Sequence, residues 1–152
     1  MANVEMVDII CDTSFLMVLV STPIKQLERI EAHLGRLNFL VPDIVIDELR
    51  RLEKRAGPKR SIAARTAIDL SLSRFKVINL IPADGEKEKE SMEKSVPKPV
   101  QVDDYIANYA VTNRCPVATI DSRLRNRLLA GGTLVLTLSK NKLVVMQPSP
   151  TR

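Results

Sequence analysis

The sequence predicts an α/β fold in which a central, mainly parallel sheet is flanked by helices on both faces. Short apolar runs rich in β-branched residues, such as residues 7–10 and 37–41, alternate with stretches whose apolar residues recur at helical spacing. Strands that alternate with helices pair in parallel, because each helix carries the chain back across the sheet. With 152 residues and 45% hydrophobic content, the chain has the length of one domain and can bury a substantial core.

The first half of the chain is predicted to supply three strands and the helices between them. Pro23 suits the first turn of a helix and Gly35 suits its end, whereas the Gly57-Pro58 pair should stop the helix before it. The predicted elements are a strand at 7–10, a short helix at 15–20, a helix from Pro23 to Gly35, a strand at 37–41, a helix from Asp43 to Arg55, a helix capped by Ser61, and a strand at 76–81.

The second half begins with a change in composition at residues 82–99, which are highly charged and flanked by prolines. We interpret them as a loop or a solvated helical turn over the domain. A helix at 102–113, a strand at 116–120, a helix at 122–129 and an edge hairpin of 133–138 with 142–146 should follow. Residues 1–147 then form the single domain, and residues 148–152 a frayed, Pro-rich tail.

Composition restricts the classes of partner and compartment. No apolar run is long enough to cross a membrane, and the start lacks a basic region followed by an apolar segment, so we expect a cytoplasmic protein without membrane association. Cys11 and Cys115 are predicted to be buried free thiols, as suits a reducing compartment. A net charge of +5 with 3% aromatic residues favours a polyanion that is held by its phosphates instead of by base stacking.

Four carboxylates are predicted at one edge of the sheet. Asp12 and Asp121 each follow a strand, and in an open α/β sheet ligands bind at these strand ends. Either residue could equally serve as a helix N-cap. Glu48 falls on the inward face of its helix, where its alternative role is an ion pair with an inner lysine or arginine. Asp103 shares a face with the apolar positions of its own helix and is the favoured ligand, whereas Asp104 points to the flank and stays open as a supporting residue or as the ligand in place of Asp103.

Such a cluster of acids indicates a divalent cation site. Ionised carboxylates repel one another unless a cation lies between them, and oxygen ligands without histidine or cysteine favour Mg²⁺ or Mn²⁺. Divalent cations held by acids are used for phosphodiester hydrolysis. Ser14 and Thr119 could support a ligand by hydrogen bonding, or act as local capping hydroxyls. His33 lies on a predicted surface turn, so no Ser/His or Cys/His nucleophile is expected.

Basic residues flank the predicted acidic pocket on two sides. Charged helix faces are usually solvated surface, but beside an acidic metal pocket they are better explained as a rim that binds RNA phosphates. This set consists of Arg50, Arg51, Lys54, Arg55, Lys59, Arg60 and Arg65 on one side and of Arg123, Arg125 and Arg127 on the other.

With these residues the sequence resembles a PIN domain, a nuclease fold related to the five-prime flap nucleases. The matching motifs are Asp12-Thr13-Ser14-Phe15-Leu16, Asp47-Glu48-Leu49, Asp103 with Ile106 and Ala110, and Thr119-Ile120-Asp121. Ser14 departs from the Asn that is common at its position. Through residues 117–127 and the ending at 132–146, the sequence is most similar to the ribosomal-RNA-processing PIN proteins of archaea and eukaryotes.

The resemblance implies a Mg²⁺- or Mn²⁺-dependent endoribonuclease that leaves a 5′-phosphate and a 3′-hydroxyl. It assigns Asp12, Glu48 and Asp103 as the main metal ligands and Asp121 as an auxiliary one. The implied partners are pre-ribosomal RNA and ribosome-assembly proteins, and a homodimer stays open.

Three alternatives remain at this point. One is a toxin-type PIN ribonuclease with an antitoxin partner, and another is a PIN scaffold that binds RNA without cutting it. The third is a phosphoacceptor receiver domain, for which Asp84 lies too far beyond the third strand.

Overall fold

A computed structural model describes residues 6–21, 32, 35–80, 99–140 and 142–148. Within these ranges the chain forms six strands and five helices. The strands are β1 (Met6–Cys11), β2 (Arg36–Pro42), β3 (Lys76–Ile78), β4 (Val117–Ala118), β5 (Val135–Ser139) and β6 (Lys142–Met146). The helices are α1 (Thr13–Ser21), α2 (Asp43–Arg55), α3 (Pro58–Arg74), α4 (Pro99–Asn113) and α5 (Ser122–Ala130).

The strands form one sheet in the order β3-β2-β1-β4-β5-β6. All neighbours pair in parallel except β5 and β6, which form the antiparallel C-terminal hairpin. The prediction of a mainly parallel α/β domain with an edge hairpin is therefore confirmed. Cys11 of β1 is in register with Ala118 of β4, and the backbone N–H of Asp12 donates to the carbonyl of Ala118 at 3.1 Å. This pairing places Asp12 beside Thr119 at the carboxyl edge of the sheet.

The core lies between the central strands and the helices that cover them. Ile9, Ile10 and Cys11 at the end of β1 are fully buried, as are Phe15 and Leu16 at the start of α1. A run that is buried on both sides is what a central parallel strand requires. The hydrophobic effect thus fixes β1 and the first turn of α1 together, and this holds Asp12 rigidly between them.

Two strands are shorter than the sequence predicts, because backbone groups beyond them bond to side chains. After Ala118, the N–H of Ile120 donates to the Ser14 hydroxyl at 3.2 Å and that of Asp121 to the Thr119 hydroxyl at 3.0 Å. After β3, the N–H of Leu80 donates to the Asp43 carboxylate at 3.3 Å. With these contacts β4 ends at Ala118 and β3 at Ile78, and the predicted end of the third strand at residue 81 lies outside the described residues.

The predicted capping role of Ser61 is wrong. Helix α3 starts earlier, with Gly57 as its N-cap and Pro58 in its first turn. Proline suits this position, because its fixed φ is helical and it has no N–H to leave unpaired. The hydroxyl of Ser61 instead donates to the backbone carbonyl of Glu53 at 2.6 Å and ties α3 to α2.

Several predictions lie outside the described residues. They are the body of the helix predicted from Pro23, the surface turn at His33, the charged segment at 82–98 with Asp84, and most of the C-terminal tail. Gly35 itself is described and has a φ of +108°, a backbone conformation that glycine adopts readily. None of the described helices is long and apolar enough to span a membrane. Both cysteines are buried and free, as the sequence predicts.

Candidate active site

The four predicted carboxylates line a single cleft of about 430 Å³. Asp12 enters it from the end of β1 and Asp121 from the loop after β4, whereas Glu48 and Asp103 enter from α2 and α4. The cleft opens at the carboxyl edge of the sheet, where strand ends and helix starts meet. Residues that are far apart in the sequence are therefore brought together as expected.

Asp12 is the most firmly held of the four side chains. It is only 5% exposed, and both of its carboxylate oxygens accept hydrogen bonds. The Ser14 hydroxyl donates to them at 2.9 and 3.0 Å, the backbone N–H of Phe15 donates at 2.9 Å, and the hydroxyl of Thr119 donates at 2.5 Å. Ser14 and Thr119 thus contact Asp12 directly, and the bond to Phe15 also makes Asp12 a cap for α1.

The surroundings of Asp12 make its ionisation difficult. Burial raises the pKa of this carboxyl group to about 6, although the hydrogen bonds from Thr119, Phe15 and Ser14 lower it; the charge of Asp103 adds a further increase. An anion that is desolvated and faces another anion gains free energy when a cation binds beside it. Asp12 therefore has the properties of a metal ligand, in addition to its role as a cap.

Glu48 has a partner that the sequence analysis did not anticipate. The hydroxyl of Thr13 donates a short hydrogen bond to the Glu48 carboxylate. The predicted alternative was an inner lysine or arginine, but no described cation forms an ion pair with Glu48. A hydroxyl is neutral, so this contact orients the carboxylate of Glu48 without providing a compensating positive charge.

Asp103 and Asp104 are adjacent in the sequence but occupy different environments. Asp103 is partly buried in the cleft, and its pKa rises to about 6 because of burial first and then because of the negative charges of Asp121 and Glu48. Asp104 does not line the cleft; its carboxylate lies 2.6 Å from the guanidinium of Arg127. The different faces inferred for the two residues match this arrangement.

Asp121 combines a structural contact with a position in the cleft. Its carboxylate accepts hydrogen bonds from the backbone N–H groups of Arg123 at 2.8 Å and Leu124 at 3.3 Å, and so caps α5. The side chain is exposed, and its charge still raises the pKa of Asp103. Both bonds are accepted by the Oδ1 atom, so the capping contact with α5 does not occupy the Oδ2 atom of Asp121.

The donor set fits a hard divalent cation in its chemistry. All four groups are carboxylates, and none of them forms an ion pair with a lysine or arginine in the described part of the chain. No three acidic, histidine or cysteine side chains within that part are gathered closely enough to hold one ion directly. Mg²⁺ usually keeps several of its waters and binds through only one or two carboxylates, so the spacing is compatible with it.

The residues of the predicted basic rim differ in whether they line the cleft, form an ion pair or are exposed to solvent. Of the ten residues, Arg60 lines the acidic cleft itself. Arg127 is already paired with Asp104, and Arg50 lies 3.7 Å from the carboxylate of Asp47. Lys54, Arg55, Lys59, Arg65 and Arg123 are exposed, whereas Arg51 and Arg125 are partly buried. The cations that remain free for an anionic ligand therefore lie mainly around the junction of α2 and α3.

The cleft contains residues that the sequence analysis did not select. Thr13 belongs to the first PIN-like motif but was not among the predicted site residues, and its hydroxyl contacts Glu48. Met17, Val18 and Leu52 form an apolar part of the lining. Helical spacing was the available signal, because Met17 follows Thr13 by four positions and Leu52 follows Glu48 by four.

Comparison with known proteins identifies the family. The family model described as "PIN like domain" matches residues 9–141. Among solved structures, the chain is similar to the PIN domain endonuclease Utp24, with 24% identity, a TM-score of 0.63 and coverage of 92% of this chain and 91% of that chain. It also matches VapBC2 from Rickettsia felis bound to a promoter DNA fragment, with 14% identity, a TM-score of 0.47 and coverage of 78% and 92%.

Structural likenesses at these identities establish the fold alone. A comparison with curated proteins found no match. The family assignment depends instead on the family model, which spans most of the sequence, including all four carboxylates. The chain therefore belongs to the PIN-like domain family.

Proposed function

We propose that the protein is a metal-dependent endoribonuclease that hydrolyses RNA phosphodiester bonds in ribosomal-RNA processing. The observation that supports this most strongly is the cleft in which Asp12, Glu48, Asp103 and Asp121 meet, none of them ion-paired with a lysine or arginine that the structure describes. The pKa of two of these groups is raised to about 6, which means that their ionised form is disfavoured by the surroundings and would gain stability from a cation bound beside it. The endonuclease Utp24, with its similar fold, agrees with the proposal.

Each acidic residue has a defined part in this proposal. Asp12, Glu48 and Asp103 would hold a Mg²⁺ or Mn²⁺ ion, one or two of them directly and the rest through water that the ion keeps, and Asp121 would be an auxiliary ligand. When bound, the ion activates water and stabilises negative charge on the attacking and leaving oxygens. The products are a 5′-phosphate and a 3′-hydroxyl.

The surrounding hydroxyl groups keep the ligands in place. Ser14 and Thr119 fix both oxygens of Asp12, and Thr13 orients Glu48. Free basic residues near the start of α3, with Arg60 in the cleft, bind the RNA phosphates. The attacking group in this proposal is water, and neither buried cysteine, whose thiol pKa values are raised, lines the cleft.

The activity is tested with purified protein and labelled RNA in Mn²⁺, in Mg²⁺ and in EDTA. We expect cleavage only with a divalent cation, and 5′-phosphate ends on the products. Asp103→Asn should lower the rate roughly a hundredfold or more, because it removes a ligand of the ion. Asp104→Asn is the matched control, since it changes the same chemistry one position away on the surface, and it should keep most of the activity.

RNA affinity separates catalysis from binding. Without its catalytic carboxylate, Asp103→Asn should bind RNA at least as well as the wild type, because a negative charge near the phosphates has been removed. If Asp12→Asn and Asp103→Asn retain the same activity as the wild type, the cleavage comes from a contaminating nuclease. A protein that binds RNA and never cuts it would instead be a non-cleaving scaffold.

The role in ribosomal-RNA processing is tested by crosslinking in cells and sequencing of the bound RNA. We expect the reads to concentrate at a processing site of the ribosomal-RNA precursor. Two free cysteines suit a protein that acts in a reducing compartment. Reads spread over messenger or transfer RNA would contradict this role and favour a toxin-type ribonuclease.

A further inference from the structure

Along two helices the lining of the acidic cleft changes from polar to apolar one helical turn away from the carboxylates, and Val102 and Ile120 add apolar lining beside Asp103 and Asp121. On α1, Thr13 and Ser14 are followed four positions later by Met17 and Val18. On α2, Glu48 is followed four positions later by Leu52. Positions four apart lie on the same face of a helix, about 5.4 Å apart along its axis. Two helices thus continue the acidic end of the cleft into one apolar wall.

The side chains of this wall are partly accessible to solvent. Met17, Val18 and Leu52 are each only partly buried. Met17 and Leu52 pack against the core on one side, whereas Val18 is not among the described residues that do so. Accessible apolar surface inside a cleft is characteristic of ligand sites, in which apolar walls hold the ligand and a few polar groups orient it.

The cleft offers this wall in place of aromatic residues. The three phenylalanines of the chain are used elsewhere, with ring centroids 6.1 Å apart for Phe15 and Phe39 and 5.2 Å apart for Phe39 and Phe75. Tyr109 borders a different pocket, at the amino ends of β1 and β4. A planar ligand in the cleft would therefore contact aliphatic and thioether groups, which bind aromatic rings with little dependence on their identity.

We infer that Met17, Val18 and Leu52 form a seat for one unpaired nucleobase next to the phosphate that is cleaved. This inference rests on the proposed function, because the carboxylates fix where that phosphate lies. One helical turn separates the acids from the wall, a distance comparable to that between a phosphate and the base of its own nucleotide. Arg60 lines the same cleft and supplies a positive charge for the backbone that connects them.

The seat restricts the substrate to RNA in which the nucleotide at the cleavage site is unpaired. A base that is stacked and paired in a duplex cannot reach a wall inside the cleft, so the nucleotide at the cleavage site has to be unpaired. Since aliphatic contacts read no hydrogen-bonding edge, all four bases should be accepted at this position with similar efficiency. An abasic nucleotide at the seat, in contrast, should lower the cleavage efficiency in every RNA sequence.

An abasic walk tests the inference. Cleavage sites are first mapped on a short unstructured RNA in Mn²⁺, and each nucleotide around one site is then replaced in turn by an abasic residue. We expect kcat/KM to fall roughly tenfold at one position beside the cleaved bond and to change little at the others, as for loss of contact in an apolar pocket. Equal effects at every position would overturn the inference.

Variants of the wall show whether the penalty arises there. In Leu52→Ala and in Val18→Thr, the loss of kcat/KM caused by the abasic residue should shrink to about twofold or less. The altered wall contacts the base less well, so removing the base costs less. Val18 does not pack against the core formed by the described residues, and Val18→Thr keeps the shape of the side chain, so this variant still tests the seat if Leu52→Ala is unstable. Leu72→Ala, at an exposed leucine of α3, should keep the full penalty. A full penalty in both wall variants would contradict the seat.

Binding measurements keep the inference separate from the proposed activity. The same abasic RNAs are titrated against Asp103→Asn by fluorescence anisotropy. A position-specific loss of affinity that disappears in Asp103→Asn/Val18→Thr would support the seat even if no cleavage were detected. Cleavage that requires the carboxylates, together with affinity that is indifferent to every missing base, would support the nuclease and reject the seat.

Discussion

Replacement of Asp103 by asparagine should stabilise the metal-free protein above neutral pH. The carboxylate of Asp103 is partly buried and faces the negative charges of Asp121 and Glu48, and these effects raise its pKa from 3.8 to about 6. No hydrogen bond to its side chain is seen within the described ranges, so asparagine loses little by removing the charge. The change should therefore relieve the repulsion between Asp103 and the carboxylates of Asp121 and Glu48 when no metal ion is added.

The magnitude follows from the difference between the folded and unfolded pKa values. A shift of about two pKa units corresponds to roughly 3 kcal/mol, since each unit represents about 1.4 kcal/mol. Solvent reaches Asp103 and screens its charge, so we expect a gain in unfolding free energy of about 1 kcal/mol. A raised folded pKa favours the folded state fully below the unfolded pKa of about 4, and this advantage is lost as the pH rises through about 6.

Urea unfolding in EDTA at several pH values measures this effect. The gain of Asp103→Asn over the wild type should be largest near pH 8 and should shrink towards zero near pH 4. Asp104→Asn is the control, because it removes an exposed ion pair with Arg127 and should change stability by less than about 1 kcal/mol. A loss of stability in Asp103→Asn at pH 8, or a gain that does not depend on pH, would refute the reasoning.

Three further predictions concern the same cleft. Thr13→Val removes the hydroxyl that donates to Glu48. We expect roughly tenfold lower ribonuclease activity in an RNA cleavage assay and a loss of unfolding free energy near 1 kcal/mol in urea. Unchanged activity would exclude a positioning role for Thr13. Thr119→Val leaves a buried oxygen of Asp12 without its 2.5 Å hydrogen bond, so unfolding should become easier by about 1–3 kcal/mol; a neutral result in urea would show that the site relaxes. Mn²⁺ affinity measured by calorimetry should fall steeply below pH 6, because protons compete for Asp12 and Asp103; an affinity that is constant from pH 5 to 8 would contradict these pKa values.

The sequence was informative wherever local periodicity decides where a residue lies. Asp12 and Asp121 follow apolar strands, and the strand-end rule places both at the carboxyl edge of the sheet. The offset of Asp103 from the buried Ile106 distinguishes it from Asp104, which pairs outside the cleft. The order of strands and helices followed from the same patterns.

Contacts between distant elements could not be predicted in this way. The bond from Thr13 to Glu48 joins residues 35 positions apart, and nothing in either local pattern specifies it. Arg127 was expected at the phosphate-binding rim, yet the packing of α5 beside α4 brings it to Asp104. Ser61 has the composition of a cap, but Pro58 starts its helix one turn earlier. Tertiary geometry decides each of these cases.

The most direct test of the account is the location of Mn²⁺ by anomalous X-ray diffraction from crystals grown with the ion. The account predicts an anomalous peak in the cleft, within ligand distance of Asp12 or Asp103 directly or through ordered water, that disappears in Asp103→Asn and persists in Asp104→Asn. A cleft that stays empty at millimolar Mn²⁺, or a peak that does not depend on Asp103, would contradict the central claim that these carboxylates form one cation site.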